Sequence, residues 1–432
     1  MHPHTLTARE AIRLLSSGAL TSEALVADCL RCIADEEPRV QAWEYLDPEL
    51  ALVQARRADA AGRPGVLHGL PVGVKDVFDT SDMPTGWGTP LFAGRRPLED
   101  ATAVAALRRA GAVILGKTVS TELAFYGPGK TRNPHDLSRT PGGSSSGSAA
   151  AVATSMVSAA LGSQTAGSLI RPASYCGVVG YKPSHGLVPL TGVAPLAPES
   201  LDTVGLLVRS ATDLPLLATA LGIPAAVSVG PASVQVAAPL RVGLCRTEAW
   251  PLASRESQTA VEEAARRLAA AGVEVGEELE SFDGLSDAHR QIMAFEAGAV
   301  WGPTLSRERQ HVSPSFRRLL SDGADVTPTR YAEALSLRDD ARRRLLAIYS
   351  RFDVLLTASA QGEAPEGLAS TGDPAMNRIW TLLGPPCITL PVAAGPHGLP
   401  IGVQFVGVPG GDPGLLKVAE WVESILKPRY QP

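Results

Sequence analysis

The sequence predicts an α/β fold built as a single large domain. Apolar residues fill 45% of the 432 positions and charged ones 19%, a balance that lets the chain bury a large core. Short β-rich runs alternate with helical ones, as in LHGLPVGVKDVFD, then ATAVAALRRAGA, then the apolar AVILG it runs into, and such alternation is the pattern of α/β folds. No internal repeat and no linker-like stretch divides residues 1–432.

The elements can be argued in order. Residues 1–60 read as helical: Thr7 and Glu10 form a capping box at the start of an amphipathic run, and a second helix starts near Thr21. Residues 61–210 hold the strand-like run around Lys75, the helix and strand after it, and a stretch from 141 to 185 rich in Gly, Ser and Ala. Residues 255–350 are charged and mostly helical. In 351–428, ITLPVAA and GLPIGVQFVGV read as two strands joined by a turn, followed by a closing helix near Leu415 to Leu426.

Composition excludes several function classes. The charge is 39 basic minus 44 acidic residues, a net of -5, with no like-charge run longer than the three arginines at Arg342 to Arg344, so no nucleic-acid footprint is expected. The start, MHPHTLTAREAIRLL, lacks a basic segment followed by an apolar one, and no window reaches the roughly 18 apolar residues of a membrane span. The five cysteines are scattered, which argues against a disulfide framework. A cytoplasmic protein is the expectation. Cys29 and Cys32 form a C-x-x-C inside the helical run SEALVADCLRCIA, without the preceding strand or second pair that redox or metal chemistry needs.

Two motif matches fail on physical grounds. GAVILGKT, Gly111 to Thr118, fits the phosphate-loop pattern letter for letter. Its four central residues are Ala, Val, Ile and Leu, which belong in a buried strand, whereas a phosphate cradle needs a turn there. Gly143 to Gly147 fits G-x-S-x-G, which would make Ser145 the nucleophile of an α/β-hydrolase-type esterase. That elbow needs a hydrophobic strand before it, and RNPHDLSRTPGG is loop by every signal. A third constellation is Lys75 among Val72, Val74, Val77 and Phe78. Burial there would strip the ammonium of hydration and lower its pKa from about 10.4 toward the range useful to a base. Taken alone, these residues favour the plainer reading of a surface lysine paired with Asp76.

Three separated motifs together resemble the amidase signature family of serine hydrolases: PVGVKD from Pro71, PGGSSSGSAAAVA from Pro141, and GSQTAGSLIRPASYCGVVGYKPSHG from Gly162. GKTVSTELA, TRNP, GPPCITLP and GLPIGVQFVG extend the likeness over most of 60–210 and 350–425. The resemblance implies a central mixed, twisted sheet covered by helices on both faces. It implies a catalytic unit of Ser168 as nucleophile, Ser144 after a cis peptide bond as bridge, and Lys75 as base, with an oxyanion hole at Thr165, Ala166, Gly167 and Ser168. The reaction it implies is hydrolysis of a C–N bond through an acyl-enzyme, on amides and also carbamates, without metal or cofactor. No His/Cys/Asp cluster has ligand spacing in the sequence. The family often has Asp-Thr-Gly-Gly-Ser-Ile-Arg where this chain has Gln164, Ala166 and Ile170, with its arginine one place later at Arg171. Arg171 is thus open to two roles, holding a local group or anchoring a substrate carboxylate. Trp301, Phe316, Trp380 and Leu382 are the candidate apolar lining, Arg171, Trp380 and Leu382 the candidate substrate contacts. The expected partner is a small-molecule amide or carbamate, with neither nucleic acid nor membrane, and a monomer or homodimer. The alternative is the amidase subunit of a tRNA-dependent amidotransferase, which passes ammonia to a partner.

Overall fold

A computed structural model describes residues 2–62, 65–225, 240–305 and 308–426. The chain starts with helices α1 (Ala8–Ser17) and α2 (Ser22–Val40). The capping box at Thr7 and Glu10 is formed, and the Thr21 side chain accepts from Ala24 N to open α2. Strand β1 (Trp43–Leu46) follows, then α3 (Pro48–Ala60), β2 (Pro71–Lys75), α4 (Thr102–Arg109) and β3 (Val113–Thr118). The phosphate-loop look-alike is therefore a buried strand, as its apolar centre requires. Next come α5 (Ser146–Ala153), β4 (Ala159–Gln164), α6 (Ile170–Cys176), β5 (Val179–Lys182), β6 (Thr203–Val208) and α7 (Leu214–Ala220). The chain continues through β7 (Arg241–Cys245), α8 (Arg255–Ala270), β8 (Glu274–Glu278), and the three helices α9 (Leu285–Leu305), α10 (Pro314–Asp325) and α11 (Pro328–Ile348). It closes with β9 (Val354–Ala358), α12 (Ala375–Leu383), β10 (Cys387–Ala394), β11 (Pro400–Gly407) and α13 (Asp412–Leu426).

The eleven strands among the described residues join one sheet in the order β1-β3-β2-β4-β6-β5-β10-β11-β9-β7-β8. The sheet is mixed: β2 runs parallel to β3 and β4, while β4 and β6 are antiparallel. Because side chains alternate across a strand, neighbours in sequence feed different cores. On β9, Leu355 joins one apolar cluster with Trp301, Phe316 and Trp380, and Leu356 joins the other with Val72, Val403 and Phe405. The sheet thus carries packed layers on both faces, as the resemblance implies. Two strands lie where sequence pattern reads helix. β1 falls in the 1–60 stretch and β8 in 255–350, and these two are the sheet's edges, where short or charged strands are tolerated. Among the described residues, no helix is long and apolar enough to cross a membrane.

Candidate active site

Lys75 ends β2, the strand parallel to β4, and is fully buried. Val72, Val74, Val77 and Phe78 are buried as well. Its Nζ lies 2.6 Å from Ser144 Oγ, 2.9 Å from Ser163 Oγ and 3.5 Å from the Ser163 carbonyl. Desolvation holds the amine well below the usual lysine range, with only the more distant Asp202 pulling the other way. Asp76, the expected partner of a surface lysine, instead pairs with Lys117 Nζ at 3.0 Å.

The three serines after Gly143 separate into three tasks. Ser144 follows a cis peptide bond from Gly143 and faces Lys75. Ser145 turns its hydroxyl onto the Ser163 carbonyl at 3.2 Å, and Ser146 Oγ donates to the Gly142 carbonyl at 2.7 Å. Gly142 holds φ +82°, and a Cβ there would meet Pro172 Cα at 2.8 Å, so the turn that presents Ser144 has no room for a side chain. The residues ahead of Ser145 form loop rather than a strand; the nucleophile elbow has no scaffold here.

Ser168 lies between β4 and α6, beside Ser144 in one cavity. Its hydroxyl has no hydrogen-bond partner among the described residues. Gln164, at the end of β4, accepts from Leu169 N at 2.9 Å and Ile170 N at 3.2 Å, and so caps the first turn of α6. A Cβ on Gly167 would stand 2.5 Å from Asn377 Oδ1, which is why this position is bare. Asp202 accepts from Thr165 Oγ1 and from the N–H groups of Leu196 and Ala197, yet burial still raises its pKa to about 6.

The Amidase family profile matches residues 24–416. The chain belongs to the amidase family. It is similar to a putative amidase of Mycobacterium bovis, 32% identical over 92% of this chain and 89% of that protein. It is also similar to a glutamyl-tRNA(Gln) amidotransferase subunit from Chloroflexus aggregans, 31% identical over 98% of this chain and 96% of that one. Among solved structures, one described as a crystal structure of amidase superposes with a TM-score of 0.88 at 32% identity, covering 98% of this chain and all of the other. The native peptide amidase from Stenotrophomonas maltophilia superposes at 0.82 with 29% identity, each chain 98% covered. The reaction class that goes with this membership is hydrolysis of an amide carbon–nitrogen bond.

In this amidase, Ser144, Thr165, Ala166, Ser168 and Arg171 border a narrow cavity of about 10 Å³, room for about one water. Its other walls are Ala124, Phe125, Tyr126, Leu196, Met293 and Pro374, none of them among the candidates read from the sequence. Those expectations need correction. Trp380 and Leu382 are fully buried in the second apolar cluster and do not border the cavity, and Trp301 and Phe316 pack in the same cluster. They face the core side of their helices, where an apolar side chain is ordinarily found. The true wall comes from four distant segments, so no local pattern marks it; only the adjacent aromatics Phe125 and Tyr126, just past STELA, give a local hint.

Arg171 makes the local contacts that the first of the two open roles calls for. Its Nη2 donates to the Gly143 carbonyl at 2.6 Å, steadying the peptide that carries Ser144, and to Thr371 Oγ1 at 3.1 Å. Its Nε and Nη1 are buried without a partner, and no carboxylate among the described residues forms an ion pair with it. Away from the site, His2, His4 and Asp28 bring ligand-type atoms within 4.8 Å of one another, a grouping the sequence spacing hides. Asp28 is already committed there to Arg31 and His4. A wider cleft bounded by Glu44, Gly86, Thr89 and Lys130 contains none of Lys75, Ser144 and Ser168.

Proposed function

We propose that this amidase is a serine hydrolase in which Ser168 is the nucleophile, Ser144 the relay and Lys75 the base. The carrying observation is the environment of Lys75: a fully buried amine whose near partners are two hydroxyls and a carbonyl, with no carboxylate in ion-pair range among the described residues. Such a lysine is neutral at working pH and has a lone pair to offer. Serine suits the relay because one hydroxyl donates and accepts together.

The proton path balances. Lys75 Nζ takes the Ser144 proton, Ser144 Oγ takes the Ser168 proton, and Ser168 Oγ bonds to the substrate carbonyl carbon. The carbonyl oxygen becomes an oxyanion, met by N–H groups of the segment Thr165 to Ser168, donors of a kind worth about 10²- to 10³-fold in rate each. Collapse reforms the carbonyl and breaks the C–N bond, while the proton returns through Ser144 to the departing nitrogen. Water then enters by the same route: its oxygen bonds the acyl carbon, its proton passes to the relay, and Ser168 leaves with its proton restored.

Ala124, Phe125, Leu196, Met293 and Pro374 give the cavity an apolar wall, which favours an apolar group beside the carbonyl once side chains there make room, and the partnerless N–H groups of Arg171 favour an acyl part carrying an acceptor oxygen, such as a carboxylate. The chemistry needs only a carbonyl flanked by nitrogen, so N-aryl carbamates belong in the range with anilides. Relatives that are amidotransferase subunits make a glutamine-fed, partner-dependent role the competing reading. The test is amine release across matched anilides, N-aryl carbamates, N-alkyl amides and glutamine, by the protein alone. Anilides and N-aryl carbamates are expected to turn over faster than N-alkyl amides of equal size, because an aniline leaves more readily. Activity confined to glutamine would overturn this reading.

A further inference from the structure

Four consecutive carbonyls around the proposed nucleophile are each held by a different helix. Thr165 O lies 2.8 Å from His289 Nε2 on α9, and Ala166 O accepts from Thr381 Oγ1 on α12 at 2.7 Å. Gly167 O accepts from Arg171 N on α6 at 3.0 Å, and Ser168 O from Ser145 N at the head of α5 at 3.4 Å. In a planar trans peptide the C=O of one residue and the N–H of the next point in opposite directions. The one cis bond among the described residues is Gly143–Ser144, outside this loop. Anchoring Thr165 O therefore aims the Ala166 N–H, anchoring Ala166 O aims the Gly167 N–H, and anchoring Gly167 O aims the Ser168 N–H. The loop's own N–H groups have no acceptor among the described residues.

Two of these anchors are side chains, and both stand outside the motifs that mark the family. We infer that His289 and Thr381 are positioning residues: from helices remote in sequence, they set the direction of the Ala166 and Gly167 N–H groups toward the oxyanion. This rests on the reading of that loop as the oxyanion hole. A carbonyl can only accept, so His289 carries its proton on Nε2 and is the neutral tautomer. Burial keeps it so, pushing its pKa down to about 3. Thr381 is itself fixed, because its Oγ1 accepts from Gln164 Nε2 at 2.9 Å. The strand end, the loop and α12 are thereby tied at one hydroxyl.

The experiment compares His289→Ala, His289→Gln and Thr381→Val with wild type, by steady-state kinetics on an anilide and by affinity for an aryl boronic acid, which forms a tetrahedral adduct on a serine nucleophile. His289→Ala is expected to lower kcat about 10- to 100-fold with KM changed less than about threefold, a fraction of what losing an oxyanion donor costs. Boronate affinity should fall in parallel with kcat/KM, and the pH midpoint of kcat/KM should stay put. His289→Gln keeps an N–H at the same reach and should recover activity to within about fivefold of wild type, and Thr381→Val should lose about tenfold. Wild-type kcat in folded His289→Ala, a fall in kcat with boronate affinity unchanged, or a folded His289→Gln no better than alanine would overturn the inference. Should His289→Ala not fold, Thr381→Val and His289→Gln decide by the same measures. Ser168→Ala separates the two claims: an active Ser168→Ala refutes the nucleophile assignment, whereas an inactive one beside an unimpaired His289→Ala refutes only the positioning role.

Discussion

Two lysines sit fully buried on neighbouring strands of the same sheet, and they are chemically opposite. Lys75 on β2 is in register with Thr118 on β3, and Lys117 with Val74, so the two side chains leave opposite faces. Lys117 meets the Asp76 carboxylate at 3.0 Å and Thr85 Oγ1 at 2.6 Å. Lys75 meets only hydroxyls and a carbonyl. Desolvation lowers both pKa values, but Asp76 opposes it at Lys117, while Lys75 has only the weaker pull of Asp202. Burial disfavours a charged amine and a counter-charge offsets it; Lys182, fully buried against the Pro183 and Pro385 carbonyls with no ion pair among the described residues, shows that this setting does not by itself mark the base, and the nearby serines single out Lys75 in the proposed reading. The sequence invites the reverse assignment, since Lys117 stands in a phosphate-loop pattern and Lys75 stands beside an aspartate.

The sharpest way to break this comparison is to remove each ammonium in turn. Lys75→Met should cost roughly 10³- to 10⁴-fold in kcat while leaving the fold intact. Wild-type stability should also rise with pH, by about 1.4 kcal/mol per unit, between the depressed folded pKa of Lys75 and its unfolded value near 10.4, because there the unfolded chain binds a proton that the folded one does not. In the methionine variant the slope should be smaller by about 1.4 kcal/mol per unit, the rest coming from the other buried lysines Lys117 and Lys182; chemical denaturation across pH reads both, and an unchanged slope would deny Lys75 its neutral state. Lys117→Met should act on stability instead, costing about 3–5 kcal/mol by leaving Asp76 buried and unpaired, with adding Asp76→Asn restoring most of the loss. Thermal melts check this, and an unchanged melting temperature would mean that the pair is not an ion pair.

A third outcome concerns pH. The base form of Lys75 exists above its lowered pKa, so kcat/KM should climb about tenfold per unit below that point and then stay level into alkaline solution. A profile that falls above pH 7 would contradict a lysine base. The smallest effect is expected at Ser145→Ala, a few-fold in kcat, because its hydroxyl braces only the Ser163 backbone, donating to the carbonyl and accepting from the N–H; a loss exceeding that of Ser144→Ala would revive the elbow reading.

Legibility from sequence follows how locally each feature is encoded. Capping at Thr7 and Thr21, the strand hidden in GAVILGKT and the paired strands ITLPVAA and GLPIGVQFVGV are set by nearest neighbours, and the fold has them. β8 is hard to see because Glu274–Glu278 is rich in glutamate, a composition that suits an edge but carries no strand signal. At the site, Lys75 and the glycine–serine turns are visible as motifs, and the structure brings them together. Ser163, 2.9 Å from the lysine nitrogen, stands inside one of those motifs without a local mark of its role, since its direction depends on how β4 registers against β2. The cavity wall is illegible for a deeper reason: Phe125, Leu196, Met293 and Pro374 meet only through tertiary packing.

The seam between the two apolar clusters runs through the active site itself. Leu169 packs with the cluster that holds Val72, Val74 and Phe78, whereas Ile170 packs with the one that holds Leu196 and Met293. The strand that carries Lys75 and most of the cavity wall therefore draw on separate packing, Ala124 being the wall residue that packs with the first cluster. Epistasis between wall and base should be weak, with stability costs that add. Directed evolution toward new acyl groups can then vary Leu196 and Met293 at the stability cost of altering two buried side chains, without repacking the strand that carries Lys75.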